Sequence, residues 1–314
     1  MSVGIFQHPD CGRHDMGLGH PEQPARLPAV HDGLANAGLT ERLTWREAPA
    51  VTRELLARAH PAAYLDRLAA RAPAAGSAAL DGDTLLTPHT LPAASRAAGA
   101  GVAAVDAVLA GELRAAFAAV RPPGHHAERA TAMGFCFYSN IAIAALHALA
   151  HHGLTRVAIC DFDVHHGNGT EDVVADDPRI LFCSTFQYPL FPGKYGPDVP
   201  GQRVNCPLAA GTDGAGFREV VRQRWLPALA AFEPELVLIS AGFDAHRADP
   251  LGSLALTEDD FAWVTATLMR VAEAHAEGRV VSLLEGGYDL PALGRSAAAH
   301  VGTLLDPATA PAAD

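Results

Sequence analysis

Four short apolar runs constrain the fold of this chain more than anything else in it. They occupy residues 115–120, 157–160, 236–240 and 280–284, and three of the four are rich in β-branched side chains. Each stops at glycine or ionisable residues: RPPGHH (121–126), DFDVHH (161–166), AGFD (241–244) and EGGY (285–288). Stretches of helical length, rich in Ala and Leu and mostly free of interior Gly and Pro, lie at 93–110, 139–152, 216–232 and 258–276. Thr257 followed by Glu258, Asp259 and Asp260 reads as a helix start, with the acids in the first turn. The alternation predicts βα units around a mostly parallel sheet with helices on both faces. Ligands of such sheets bind outside the carboxyl ends of the strands, so the four polar clusters are expected to meet in one crevice.

The densest cluster is CDFDVHHGNGT (160–170), which carries Asp161, Asp163, His165 and His166. Side chains alternate along an extended strand end, so Asp161, Asp163 and His165 can share one face. Two carboxylates buried beside an imidazole are costly unless a positive charge neutralises them, and a divalent metal does so most simply. A polar loop with one satisfied histidine is the plainer reading. It is the weaker one here, because three other strand ends supply matching groups.

At 314 residues the chain can bury a large core. The even spacing of the runs favours one α/β domain, taken as residues 1–306, with a disordered tail over 307–314. No stretch of about eighteen apolar residues predicts a membrane span, and no basic segment followed by an apolar one marks a secretory signal. Five cysteines (Cys11, Cys136, Cys160, Cys183, Cys206) without a CxxC pair fit reduced thiols in a cytoplasm. A net charge of −12 without a basic stripe argues against a nucleic-acid footprint. Residues 191–216, dense in Gly and Pro, read as a long functional loop.

With these segments in view, the chain resembles the zinc-dependent histone deacetylase superfamily, including its bacterial deacetylase-like and acetylpolyamine amidohydrolase members. The matching motifs are HDMGLGHPEQPARL (14–27), RPPGHHA (121–127), GFCFYSN (134–140), DFDVHHGNGT (161–170), AGFDAHRADPLG (241–252) and LEGGYDL (284–290), in the family's order. The resemblance implies a single-domain arginase/deacetylase-like fold. It also implies one Zn²⁺ per chain, held by Asp163, His165 and Asp244. His126 becomes the proton carrier and His125 its largely protonated electrostatic partner, oriented by Asn168 and Asp161 respectively. Asn168 resembles the class II branch, since many members carry Asp there. Oxygens of Asp161, Asp163, His165 and Ser184 resemble a monovalent-cation site, with K⁺ the expected ion.

Tyr288 would donate to the oxyanion, with Gly286 and Gly287 forming a turn that lets its ring swing over the metal. Gly134, Phe135, Phe191 and Gly287 would line a tunnel for the acyl-lysine stem. His20 is expected to be structural, and Cys136 a small buried side chain. The implied activity is hydrolysis of acetyl or related short acyl groups from the ε-amine of lysine in proteins or peptides. The nearest alternative substrate is an acetylated polyamine. Polyamine-selective members commonly carry an acidic gatekeeper where this chain has Leu251, which favours acetyl-lysine. A non-catalytic acyl-lysine binder would be expected to lack a ligand, the base or Tyr288, and all are present. A dimanganese ureohydrolase would need more carboxylates. The sequence leaves the oligomeric state open.

Overall fold

The computed structural model describes residues 2–311. In chain order its elements are β1 (Val3–Gln7), α1 (Arg26–Asn36), β2 (Leu43–Glu47), α2 (Arg53–Ala59), α3 (Ala62–Arg71) and a small hairpin of β3 (Ala78–Ala79) and β4 (Leu85–Leu86). Then come α4 (Thr90–Leu109), β5 (Ala115–Ala118), α5 (Asn140–His151), β6 (Val157–Asp161), α6 (Asn168–Val174), β7 (Ile180–Gln187) and β8 (Arg203–Leu208). The last part holds α7 (Gly214–Val220), α8 (Leu226–Phe232), β9 (Leu236–Ala241), α9 (Glu258–His275), β10 (Val280–Leu284) and α10 (Leu290–Leu305).

Eight strands form one sheet in the order β2-β1-β5-β10-β9-β6-β7-β8, and every neighbouring pair is parallel. The four runs are therefore adjacent strands, β5-β10-β9-β6, although β9 and β10 come last in sequence. Val280 pairs with both Ala115 and Val237, and Val157 pairs with Leu236, so the four strands end nearly level. At about 4.8 Å between strands, the four polar ends fall within about 15 Å.

Helices α4 and α5 pack together on the sheet, and α1, α9 and α10 form a second layer. The strands from β5 to β7, with β9 and β10, are buried along their whole length, as both-sided coverage requires. β5 reads Ala-Ala-Phe-Ala, a poor strand former on propensity alone. Its small side chains suit close helix approach, and so does Gly101 on α4, where a Cβ would meet a Leu283 methyl at 3.0 Å. Thr257 caps α9 in a reciprocal box with Asp260, as its sequence predicts.

Three expectations need correction. The segment 191–216 contains β8, paired in parallel with β7; its Gly and Pro residues mark the loop before the strand and conceal the Val204 and Leu208 of an edge strand. Residues Pro307–Thr309 form a 3₁₀ turn capped by Asp306, not a disordered tail; residues 312–314 lie outside the described residues. The stretch 216–232 is interrupted by a π-helical turn, Val221–Trp225, between α7 and α8. All five cysteines are buried and free.

Candidate active site

Asp163 and His165 follow the end of β6, and Asp244 follows β9. One donor atom from each lies within 4.8 Å of the others, and all three side chains are buried. His165 Nδ1 is 3.2 Å from Asp163 Oδ1 and 3.1 Å from Asp244 Oδ2. Backbone donors fix the carboxylates: Val164 N to Asp244 Oδ1 at 2.9 Å, and Gly286 N to Asp163 Oδ2 at 2.8 Å. Burial, and then the charge of Asp163, push the Asp244 carboxyl well above its ordinary range. Burial opposes protonation of His165, but hydrogen bonds to Asp163 and Asp244 outweigh it. Two buried carboxylates thus share one imidazole, a donor set short of positive charge. A divalent cation fits it, with three protein ligands and room for more. A richer, two-metal carboxylate set is not assembled among the described residues.

The paired histidines sit beside this group, their ring centroids 4.0 Å apart. His125 Nδ1 is 2.9 Å from Asp161 Oδ2. Burial would lower its pKa, yet the Asp163 and Asp161 carboxylates outweigh burial and hold the ring well above its ordinary range. His126 goes the other way: burial, then the neighbouring His125 and His165, keep it well below that range. His126 Nδ1 is 2.7 Å from Asn168 Oδ1, while Asn168 Nδ2 donates to Glu128 Oε1 at 2.9 Å. A carboxylate can only accept, so Glu128 sets the amide's orientation, and Oδ1 in turn accepts the proton on His126 Nδ1. The lone pair of His126 is left on Nε2.

A cavity of about 250 Å³ opens over these groups, lined by Asp83, His126, Gly134, Phe135, His165, Leu190, Phe191, Leu251 and Tyr288. Phe191 stands edge-on to His126 at 4.9 Å, and Phe135 edge-on to Tyr288 at 6.0 Å. At Gly134 a Cβ would meet His126 Cδ2 at 2.6 Å, so only glycine lets this wall approach the base. Phe135 itself holds a left-handed φ of 68°, an uncommon backbone for an aromatic residue at a pocket wall. Tyr288 has its phenol pKa pushed up by burial, so it is a hydroxyl donor and not a phenolate. Both carbonyls of its turn are hydrogen-bonded in this structure. Gly286 O accepts from Phe243 N at 3.0 Å and Gly287 O from Arg26 Nε at 2.7 Å. A Cβ on Gly286 would fall 2.0 Å from Asp244 Oδ2, so that glycine serves close approach.

The structure brings the other site residues read from the sequence together here, but Gly287, beside Tyr288, is not in the cavity wall, and Ser184 lies one strand further out. Ser184, on β7, pairs in register with Asp161 of β6, and its hydroxyl is 3.2 Å from His166 Nδ1. His166 turns away from the ligand group toward Glu171 at 2.9 Å. His20 packs edge-on against Phe135 at 4.7 Å and reaches Asp83 O at 3.0 Å, a structural role at the pocket rim. Cys136 is buried, its Sγ 3.3 Å from Gly134 O.

Several supporting residues escaped sequence reasoning. Glu285 Oε2 accepts from Gly124 N at 2.7 Å and His125 N at 3.1 Å, holding the histidine loop against β10. Arg26 reaches Glu285 O at 2.5 Å and lies over the Tyr288 ring at 5.0 Å. It is paired with Glu22, which also binds Arg121. Asp249 Oδ2 accepts from Tyr288 N at 2.6 Å, and its Oδ1 from Leu251 N at 3.0 Å. Glu22, Arg26, Arg121, Asp249 and Glu285 all lie inside motifs already visible in the sequence. Asp83 and Glu128 carried no signal, because only the fold brings Asp83 to the cavity and Glu128 to Asn168.

An all-parallel sheet with buried acids, paired imidazoles and a phenol at its carboxyl edge defines a hydrolytic class of α/β protein. Comparison with known proteins makes that class specific. The family model described as Histone deacetylase domain matches residues 20–304. A histone deacetylase-like amidohydrolase of Pseudomonas aeruginosa is 42% identical over 277 residues, 86% of this chain and 73% of that one. The polyamine deacetylase HDAC10 of Homo sapiens is 39% identical over 308 residues, 91% of this chain but 45% of its own. Among solved structures, the HDA15 HD domain superposes with a TM-score of 0.90 at 32% identity, covering 97% of this chain and 89% of that one. The chain belongs to the histone deacetylase family, and it is a hydrolytic deacetylase.

Proposed function

We propose that this protein is a zinc-dependent amidohydrolase that removes acetyl or short acyl groups from the ε-amine of lysine in proteins or peptides. The observation that carries the reading is the meeting of Asp163, His165 and Asp244 with His125 and His126 under one apolar-walled cavity. One zinc per chain, bound by Asp163, His165 and Asp244, would polarise the amide carbonyl and acidify the attacking water. His126, neutral and with its lone pair on Nε2, takes the proton from that water and returns one to the departing amine. His125, held protonated between Asp161 and Asp163, keeps positive charge close to the developing negative charge. Asp161 and Asn168 orient the two rings. The Tyr288 hydroxyl donates to the carbonyl oxygen as it becomes anionic. Gly134, Phe135 and Phe191 shape the channel for the stem, and the catalytic domain comprises residues 1–306.

A potassium ion near Asp161, Asp163, His165 and Ser184 is supported by the oxygen-rich end of β6, where Asp161 and Ser184 pair in register. Cytoplasmic residence is supported by five free, buried thiols. Among the described residues no helix is long and apolar enough to cross a membrane. The acidic balance speaks against nucleic-acid partners.

The rival substrate, an acetylated polyamine, is favoured by one specific observation. Leu251 supplies no charge at the gate, but the exposed carboxylate of Asp83 lines the same cavity. The deciding measurement is kcat/KM for an acetyl-lysine peptide against an acetylated polyamine, in wild type and in Asp83→Asn. Preference for the peptide, little altered by the substitution, supports the lysine reading. Preference for the polyamine that collapses in Asp83→Asn replaces it.

A further inference from the structure

We propose that Asp106, His151 and His152 form a second metal site, for a first-row divalent cation such as zinc, at the end of the molecule opposite the catalytic cavity. Asp106 lies in the last turn of α4, His147 and His151 stand one turn apart at the end of α5, and His152 follows directly. One donor atom from each of Asp106, His151 and His152 lies within 4.8 Å of the others. Helix α5 begins at Asn140, packed against Gly124 of the histidine loop, and its 12 residues carry the chain about 18 Å away. Deacetylation has no use for this cluster.

The arrangement has the parts of a metal site. Both His147 Nε2 and His152 Nε2 approach the same oxygen, Asp106 Oδ1, at 2.6 and 2.7 Å. His147 is only 5% exposed, and its Nδ1 has no partner among the described residues. The single proton of that ring therefore belongs on Nε2, donated to Asp106. This is the brace by which a second imidazole or carboxylate orients a metal-binding group. The His151 ring stacks on His147 at 5.0 Å and stands edge-on to His152 at 4.9 Å. Stacking on the braced ring holds His151 beside its partners.

Ligand atoms on a tetrahedral zinc with bonds of about 2.0–2.1 Å stand roughly 3.3 Å apart. The gap between Asp106 and His152 needs to open by about half an ångström. Asp106 is 47% exposed and His152 23%, so an ion can enter from solvent. The C-terminal ends of α4 and α5 both point at the cluster, and their partial negative charge favours a cation. Three protein ligands leave a position for water, and imidazole with carboxylate suits Zn²⁺, Ni²⁺ and Co²⁺ alike. A bound ion would clasp α4 to α5.

The test compares wild-type enzyme, as purified with its catalytic metal, with His151→Ala/His152→Ala after equilibrium dialysis against excess ZnCl₂. Metal analysis should find one equivalent more in wild type than in the double variant, whatever the catalytic site holds. Deacetylase activity should be equal in the two proteins, showing that the variant is folded. Zinc should also raise the Tm of wild type more than that of the variant, and Asp106→Asn should lose the same equivalent. Equal zinc content in wild type and double variant overturns the proposal. So does loss of the extra equivalent only in a variant that has also lost its fold.

Discussion

His125 and His126 are neighbours of the same type, yet their surroundings give them opposite tasks. Two carboxylates hold the first charged; burial and the charge beside it hold the second neutral. We expect His126→Ala to lose several orders of magnitude in kcat and His125→Ala to lose less, with zinc retained in both. Steady-state kinetics showing the reverse order would reassign the base. Glu128 acts through two other residues: it orients Asn168, which orients His126. Removing such an outer partner typically costs roughly 10–100-fold in activity. Glu128→Ala should therefore lower kcat by about that factor while KM for the peptide changes little. A variant with raised KM and unchanged kcat would make Glu128 a substrate contact instead.

At the scale of elements, the site depends on how closely turns after different strands can approach. The turn after β10 lies against the acids after β6 and β9, with Gly286 as the point of contact. A Cβ there would sit 2.0 Å from Asp244 Oδ2 and 2.6 Å from Asp163 Oδ2. Gly286→Ala should displace both carboxylates, and it should lose bound zinc and activity while the circular dichroism of the fold survives. Zinc content equal to wild type in the purified variant would show that the turn can yield. The motif LEGGYDL advertises Tyr288 and its glycines, but not that Arg26, far away in sequence, donates to the Gly287 carbonyl. Such a long-range brace has no local pattern to read.

The whole molecule is tied together by buried neutral histidines as well as by its apolar core. His300 of α10 bridges Thr265 of α9 at 2.6 Å and Ser282 of β10 at 2.8 Å, and burial pushes its pKa down to about 3 from an ordinary 6.5. Such a ring stabilises the fold fully above pH 6.5. Below that the unfolded chain takes up a proton that the folded ring refuses, so the contribution falls at about 1.4 kcal/mol per pH unit and is gone near the folded pKa. Glu285, pushed up to about 7 by burial, acts in the opposite sense between pH 4.5 and 7, so the comparison must be differential. Urea unfolding of wild type and His300→Gln should show wild-type stability falling more steeply between pH 6.5 and 4. Parallel pH profiles would mean that the ring is not the group responsible. The sequence by itself determined the four strand runs, the parallel class, and the gathering of two acids and one imidazole (Asp163, Asp244 and His165), the histidine pair and Tyr288 at the strand ends. Each is announced locally, by an apolar run or by a cluster within a few residues of one strand end. Tertiary structure alone decided that β9 and β10 insert between β5 and β6, bringing the four clusters level. It also decided that Asp83 reaches the cavity, that Glu128 reaches Asn168, and that 203–208 is an edge strand. Strand order and loop approach are set by packing among residues far apart in sequence, and no local periodicity encodes that.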